Sequence, residues 1–129
     1  MGLDMYLLAK SKNKKIGKEH TTGACGGLFP FTIDSEGTTE IGYWRKNYRL
    51  ADEITHMLFE PGEETNCVLK ELTEDDIKDL ISFAQDELDF KDYEDGWYSD
   101  YEWEKTIKIF QQALAYAKEG VKIYYKEWY

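Results

Sequence analysis

Asn66-Cys-Val-Leu-Lys-Glu-Leu72 runs directly into Thr73-Glu-Asp-Asp-Ile-Lys-Asp-Leu-Ile-Ser-Phe-Ala-Gln-Asp-Glu-Leu88, and the two pieces carry different periodicities. The first reads as a short strand. In the second, Thr73 is an N-cap with Asp76 at the third helical position, close to a capping box. Ile77, Leu80, Ile81, Ala84 and Leu88 then fall at offsets 0, 3, 4, 7 and 11, one face of a 3.6-residue period. Asp75, Lys78, Asp79 and Asp86 occupy the opposite face. A strand feeding an acidic amphipathic helix makes this a mixed chain, and the rest is read outward from it.

Toward the C-terminus, Ser99 and Glu102 form an S-x-x-E box, and Trp103, Ile107, Phe110, Leu114 and Ala117 recur at helical spacing. Gly120 suits a left-handed cap. Val121 to Trp128 is β-rich, with Val121, Ile123 and Tyr125 on one face and Lys122, Tyr124 and Lys126 on the other. Toward the N-terminus, Asn47 caps a helix whose apolar positions are Leu50, Ile54 and Leu58, stopped by Pro61-Gly62. Thr39 to Arg45 and Leu28 to Ile33 read as strands joined by Asp34-Ser-Glu-Gly37, which carries hairpin turn chemistry. Ser11 to Gly27 reads as a mobile loop, and Leu3 to Leu8 as the first strand. The order is β-β-β-α-β-α-α-β. The expectation is one α+β domain over residues 1–129, a largely antiparallel sheet with about three helices packed on it.

The 129 residues, 42% hydrophobic and 16% aromatic, suffice for one core and exclude a disordered tail. No apolar run approaches the roughly 18 residues of a membrane span, and MGLDMYLLAK lacks a signal peptide's basic region, so the expected setting is the cytoplasm with no membrane partner. Two cysteines, Cys25 and Cys67, fit a reducing compartment, with Cys67 a small core hydrophobe. Sixteen cations face 26 acids, a net charge of -10. Residues 1–50 hold eight cations against five acids, whereas residues 60–104 hold three against seventeen. Such a segment repels phosphates, which argues against direct nucleic-acid binding. The plain reading of these acids is solubility, and the sharper one is attraction of a basic partner.

Motifs for chemistry are weak. His20, Cys25, His56 and Cys67 lack zinc-ligand spacing, and nothing accompanies them that would make a Cys-His nucleophile pair. Gly23-Ala-Cys-Gly-Gly27 lacks the ending of a phosphate-binding loop, and the EF-hand register around Asp95-Gly96 puts Lys91 and Tyr93 where acids are required. No catalytic residue, metal or cofactor is therefore assigned. The aromatics carry more. Tyr43, Trp44 and Tyr48, together with Trp97, Tyr98, Tyr101, Trp103, Tyr124, Tyr125, Trp128 and Tyr129, exceed what a core this size requires. Where such rings interleave with acids they suit a protein-binding surface: Asp86, Asp89, Asp92, Glu94, Asp95, Trp97, Tyr98, Asp100 and Tyr101.

Gly2-Leu-Asp-Met-Tyr-Leu7, Gly42-Tyr-Trp-Arg-Lys46, Asn66-Cys67 and the ending Gly120 to Trp128 occur in an order that resembles a group of small bacteriophage and prophage proteins of no assigned activity. The chain departs from that group at Leu50-Ala51, where members often carry His, and at Asp95 to Asp100, where they have a Gly- and Phe-rich turn. The resemblance implies a phage accessory protein in a bacterial host. On this reading Arg45 and Lys46 either bind an anion or lock the strand to an acidic helix, the lock being favoured.

Two functions follow as expectations. In the first, a non-enzymatic protein binds the basic surface of a host protein through its acidic, aromatic face, as an anti-CRISPR-like inhibitor of a nucleic-acid-handling factor would. In the second, Trp44, Arg45, Lys46, Tyr48 and Arg49 bind a small molecule such as a nucleotide signal, the cations holding phosphate and a ring stacking the base. Pairing of the C-terminal strand across a two-fold axis would give a homodimer.

Overall fold

In the computed structural model residues 2–10, 38–90 and 100–129 are described. They form β1 (Asp4–Lys10), β2 (Thr38–Arg45), α1 (Tyr48–Leu58), β3 (Lys70–Leu72), α2 (Glu74–Phe90), α3 (Asp100–Lys118) and β4 (Lys122–Trp128). The strands make one antiparallel sheet in the order β2-β1-β4-β3. This is the α+β class that the alternating periodicities predict. The expected loop Ser11–Gly27, strand Leu28–Ile33 and turn Asp34–Gly37 lie outside the described residues. No described helix is long and apolar enough to cross a membrane.

The helix ends form as their local chemistry dictates. Asn47 Oδ1 accepts the Leu50 amide at 3.1 Å, and the Thr73 hydroxyl accepts the Asp76 amide at 3.2 Å while the Asp76 carboxylate accepts that of Thr73 at 3.0 Å. At the end of α3, Gly120 takes a φ of 89°, and the Val121 amide reaches the Tyr116 carbonyl at 3.0 Å. That closes a Schellman-type cap which a side chain at Gly120 would strain.

The core lies between the helices and one face of the sheet. Met5, Leu7, Trp44, Ile123 and Tyr125 from the strands meet Leu50, Ile54, Ile77, Leu80, Trp103 and Phe110 from the helices. Trp44 is fully buried, stacked on Phe110 at 5.4 Å, with its Nε1 donating to Thr106 Oγ1 at 2.9 Å. A bulge at Ile41 lets Leu7 pair with Gly42 while Leu8 pairs with Glu40. At Gly42 a side chain of α3 presses on β2: a Cβ there would lie 2.6 Å from Ile109 Cγ2.

Three expectations are corrected. Only Lys70–Leu72 of the segment Asn66–Leu72 forms a strand, because Cys67 adopts a φ of 60°. Cys67 is also disulfide-bonded and not a lone packed thiol. Lys126 lies on the face opposite Ile123 and Tyr125, as expected, and is fully buried there with its Nζ 4.9 Å from the centre of the Tyr6 ring; Leu8 on the same outer face is buried too. Finally, β4 is an interior strand, flanked by β1 on one side and by β3 and the Asn66–Glu127 bridge on the other. It offers no open edge for pairing across a two-fold axis.

Candidate functional site

Of the nine residues expected to face a partner, Asp92, Glu94, Asp95, Trp97 and Tyr98 lie outside the described residues. The other four are exposed and gather at one end of the helix pair. Asp86 and Asp89 stand in the last turns of α2, and Asp100 and Tyr101 in the first turn of α3, Tyr101 with 72% of its surface open. Phe83 of α2 meets the Trp103 ring of α3 edge-on at 5.8 Å, which holds these two ends side by side.

The acids of α2 divide by their relation to the helix dipole. Glu74, Asp75 and Asp76 occupy its first turn, where negative charge is favourable. Asp86 and Asp89 crowd its C-terminal end, which has no basic residue in the last turn to offset them. Asp89 accepts from Gln85 Nε2 at 2.9 Å, and among the described residues no ion pair reaches either carboxylate. The other rings divide between core and surface. Trp103 and Tyr125 are fully buried, while Tyr43, Tyr48, Trp128 and Tyr129 are exposed.

The five residues expected to hold a nucleotide do not converge. Trp44 is sealed beneath α3 and cannot stack a base. Arg45, its neighbour on the strand, projects to the opposite face by the two-residue period of β2. Lys46 turns the chain with a φ of 58°, its amide bonded to the Leu3 carbonyl at 2.7 Å. Arg49 pairs with Glu87, an ion pair that ties α1 to α2. Arg49 lines a shallow cavity of about 350 Å³ with Asp52, Glu53, His56 and Phe83, whereas Tyr48 lines a separate one.

That second cavity, about 390 Å³, lies between α1 and the ends of β1 and β4, and is bounded by Gly2, Leu3, Tyr48, Ala51, Asp52, Thr55, Thr65, Glu127 and Tyr129. Glu127 continues the inward face of β4 after Ile123 and Tyr125 and is 3% exposed. Tyr125 Oη donates to its Oε2 at 2.8 Å, and Thr65 Oγ1, which also lines the cavity, lies 2.6 Å from Tyr129 Oη. Burial pushes the Glu127 carboxyl above its usual range, the Tyr125 and Thr65 hydroxyls oppose that, and Asp52 across the cavity adds to it. Burial likewise raises the Tyr125 phenol, with Glu127 reinforcing it. Sequence reasoning missed this cavity, although the period of β4 already placed Glu127 beside Ile123 and Tyr125.

On the outer face of the sheet, Tyr43 Oη donates to Asp4 Oδ1 at 2.6 Å, and that bond with burial pushes the phenol up to about 12. Burial lowers the Lys126 ammonium and raises the Tyr6 phenol beneath it. No set of three or more His, Cys, Asp or Glu among the described residues is arranged to hold a metal. No family model, curated protein or solved structure matches the chain.

Proposed function

We propose that this is a non-enzymatic binding protein, a phage or prophage accessory factor whose acidic α2–α3 end engages the basic surface of a host protein that handles nucleic acid. The observation that carries the reading is the gathering of Asp86, Asp89, Asp100 and Tyr101, all exposed, at one end of the helix pair. Two of these acids sit at the wrong pole of α2, where they cost the fold stability, so folding does not account for them. Carboxylates spaced along a helix can occupy a groove built for phosphates, and a large exposed tyrosine beside them supplies buried area at little entropic cost.

The test compares the wild-type chain with an Asp86→Asn, Asp89→Asn, Asp100→Asn variant as bait in bacterial lysate, at low and at high salt. The expected result is a protein with a basic surface, retained by the wild type at low salt and lost with the variant. Exposed ion pairs contribute about 0.2–1 kcal/mol each, so three neutralised carboxylates weaken binding by roughly 3- to 150-fold. Equal retention by both chains, retention indifferent to salt, or no retained protein at all overturns the reading.

A further inference from the structure

We infer that the cavity between α1 and the end of β4 binds a small organic cation, an amine or amidine carrying an apolar or aromatic arm, with its charged nitrogen on Glu127 and Asp52. This site is separate from the α2–α3 surface and does not depend on it. The argument begins with charge. The nine described residues that line the cavity include two carboxylates and no Lys, Arg or His. Glu127 is almost wholly buried, yet no cation of the described residues pairs with it. A buried carboxylate is costly unless paired and hydrogen-bonded.

The hydrogen-bonding half of that requirement is met in part and the pairing half is not. A carboxylate accepts about four bonds, and Tyr125 supplies one at 2.8 Å. Thr65 and Tyr129, whose hydroxyls lie 2.6 Å apart, line the same space. The carboxylate is thereby held in one orientation against a space large enough for a ligand. Leu3 and Ala51 provide the apolar wall, and Tyr48 and Tyr129, 48% and 49% exposed, provide rings at the mouth that attract a cation by their faces. Two carboxylates with hydroxyl neighbours are too few for a divalent metal site, which favours an organic cation.

The experiment titrates the full chain with phenethylamine and benzamidine while following its amide resonances, with phenylacetate as an anion of similar size and Ca²⁺ as an inorganic cation. The expected result is saturable binding by the amines at about millimolar concentration or tighter, with shifts centred on Tyr48, Asp52, Thr65, Glu127 and Tyr129. Glu127→Gln keeps the acceptor for Tyr125 and weakens the amines about 10-fold or more, and Asp52→Asn, on the exposed side of α1, weakens them about 3-fold. Asp86→Asn with Asp89→Asn leaves them unchanged, which separates this site from the acidic surface. No saturable shift, equal binding by phenylacetate or Ca²⁺, shifts confined to α2 and α3, or affinity indifferent to both Glu127→Gln and Asp52→Asn overturns the assignment. The Asp52 variant keeps the test decisive even where the Glu127 variant fails to fold.

Discussion

Neutralising Asp86 and Asp89 together should make the protein more stable, and the size of the gain follows from where they sit. Asp89 lies in the last turn of α2 and Asp86 just before it, where the helix carries about half a negative charge. A misplaced exposed acid costs about 0.3–1 kcal/mol at low ionic strength, less for Asp86 because the effect fades within a turn. The two like charges three residues apart add about 0.2–0.5 kcal/mol of repulsion. Asn at position 89 keeps an oxygen for Gln85 Nε2, so that bond is preserved. The double substitution should then gain about 0.5–2 kcal/mol, or roughly 2–10 °C in Tm for a chain of this length. Thermal melts at ~20 mM and ~500 mM salt check it, because a Debye length that shrinks to a few ångströms should erase most of the gain. A Tm that stays level or falls at low salt, or a gain that persists undiminished at high salt, would refute the claim that these acids work against the fold.

Three further substitutions test the packing and the buried carboxyl. Gly42→Ala places a methyl 2.6 Å from Ile109 Cγ2 and should cost about 1–3 kcal/mol in denaturant melts, with no change in m-value; a neutral outcome would mean that α3 does not press on β2. Thr106→Val removes the acceptor of the buried Trp44 Nε1 and should cost about 1–3 kcal/mol, but markedly less in a Trp44→Phe background; equal costs in both backgrounds would deny the coupling. For Glu127 the folded state holds its proton more tightly than the unfolded state, whose value is near 4.5. Its contribution is therefore most favourable at or below that pH and is lost as pH rises through the raised folded value. The stability difference between Glu127→Gln and wild type should move in favour of the variant from about pH 4.5 upward and then level off, and an opposite slope would show that the carboxyl is better solvated than its burial implies.

The helices were legible because their signals are local. Thr73 with Asp76, Asn47 with Leu50 and Gly120 each declare an end through bonds spanning three residues or a single positive φ, and no distant partner is needed to read them. Strands are harder, since a run such as Asn66–Leu72 shows that β structure is tolerated but not which residues find a neighbour. Of that run only Lys70–Leu72 joins β4 in a regular ladder, and Cys67 turns the chain with its amide on the Glu127 carbonyl at 2.6 Å. The burial of Lys126 is likewise not written in the alternation of β4. Alternation implies a wet outer face only where nothing packs on it, and a long aliphatic stem lets a lysine lie over the Tyr6 ring in a buried position.

The sites show the same division between what a period reveals and what topology must supply. A two-residue repeat puts Trp44 and Arg45 on opposite faces of β2, so a ligand held by both was already excluded by the geometry of a strand. That repeat also carries Glu127 inward beneath α1, a position the sequence announces as plainly as it does Ile123. What it does not announce is Asp52, Thr65 and Tyr129 around the same space, because only the placement of β4 beside β1, with the Thr65–Cys67 segment along its other edge, brings them there. Asp89 at the negative end of a helix and Glu127 on an apolar strand face share one property: each breaks a local rule without a compensating bond to a cation of the described residues. Rule-breaking of that kind concentrates at functional positions, since folding alone favours a neutral side chain at both. An Asn at position 89 and a Gln at position 127 should therefore be better tolerated by the fold than by the two binding activities, and a pair of variants that gained stability while keeping both activities would leave these charges without a purpose.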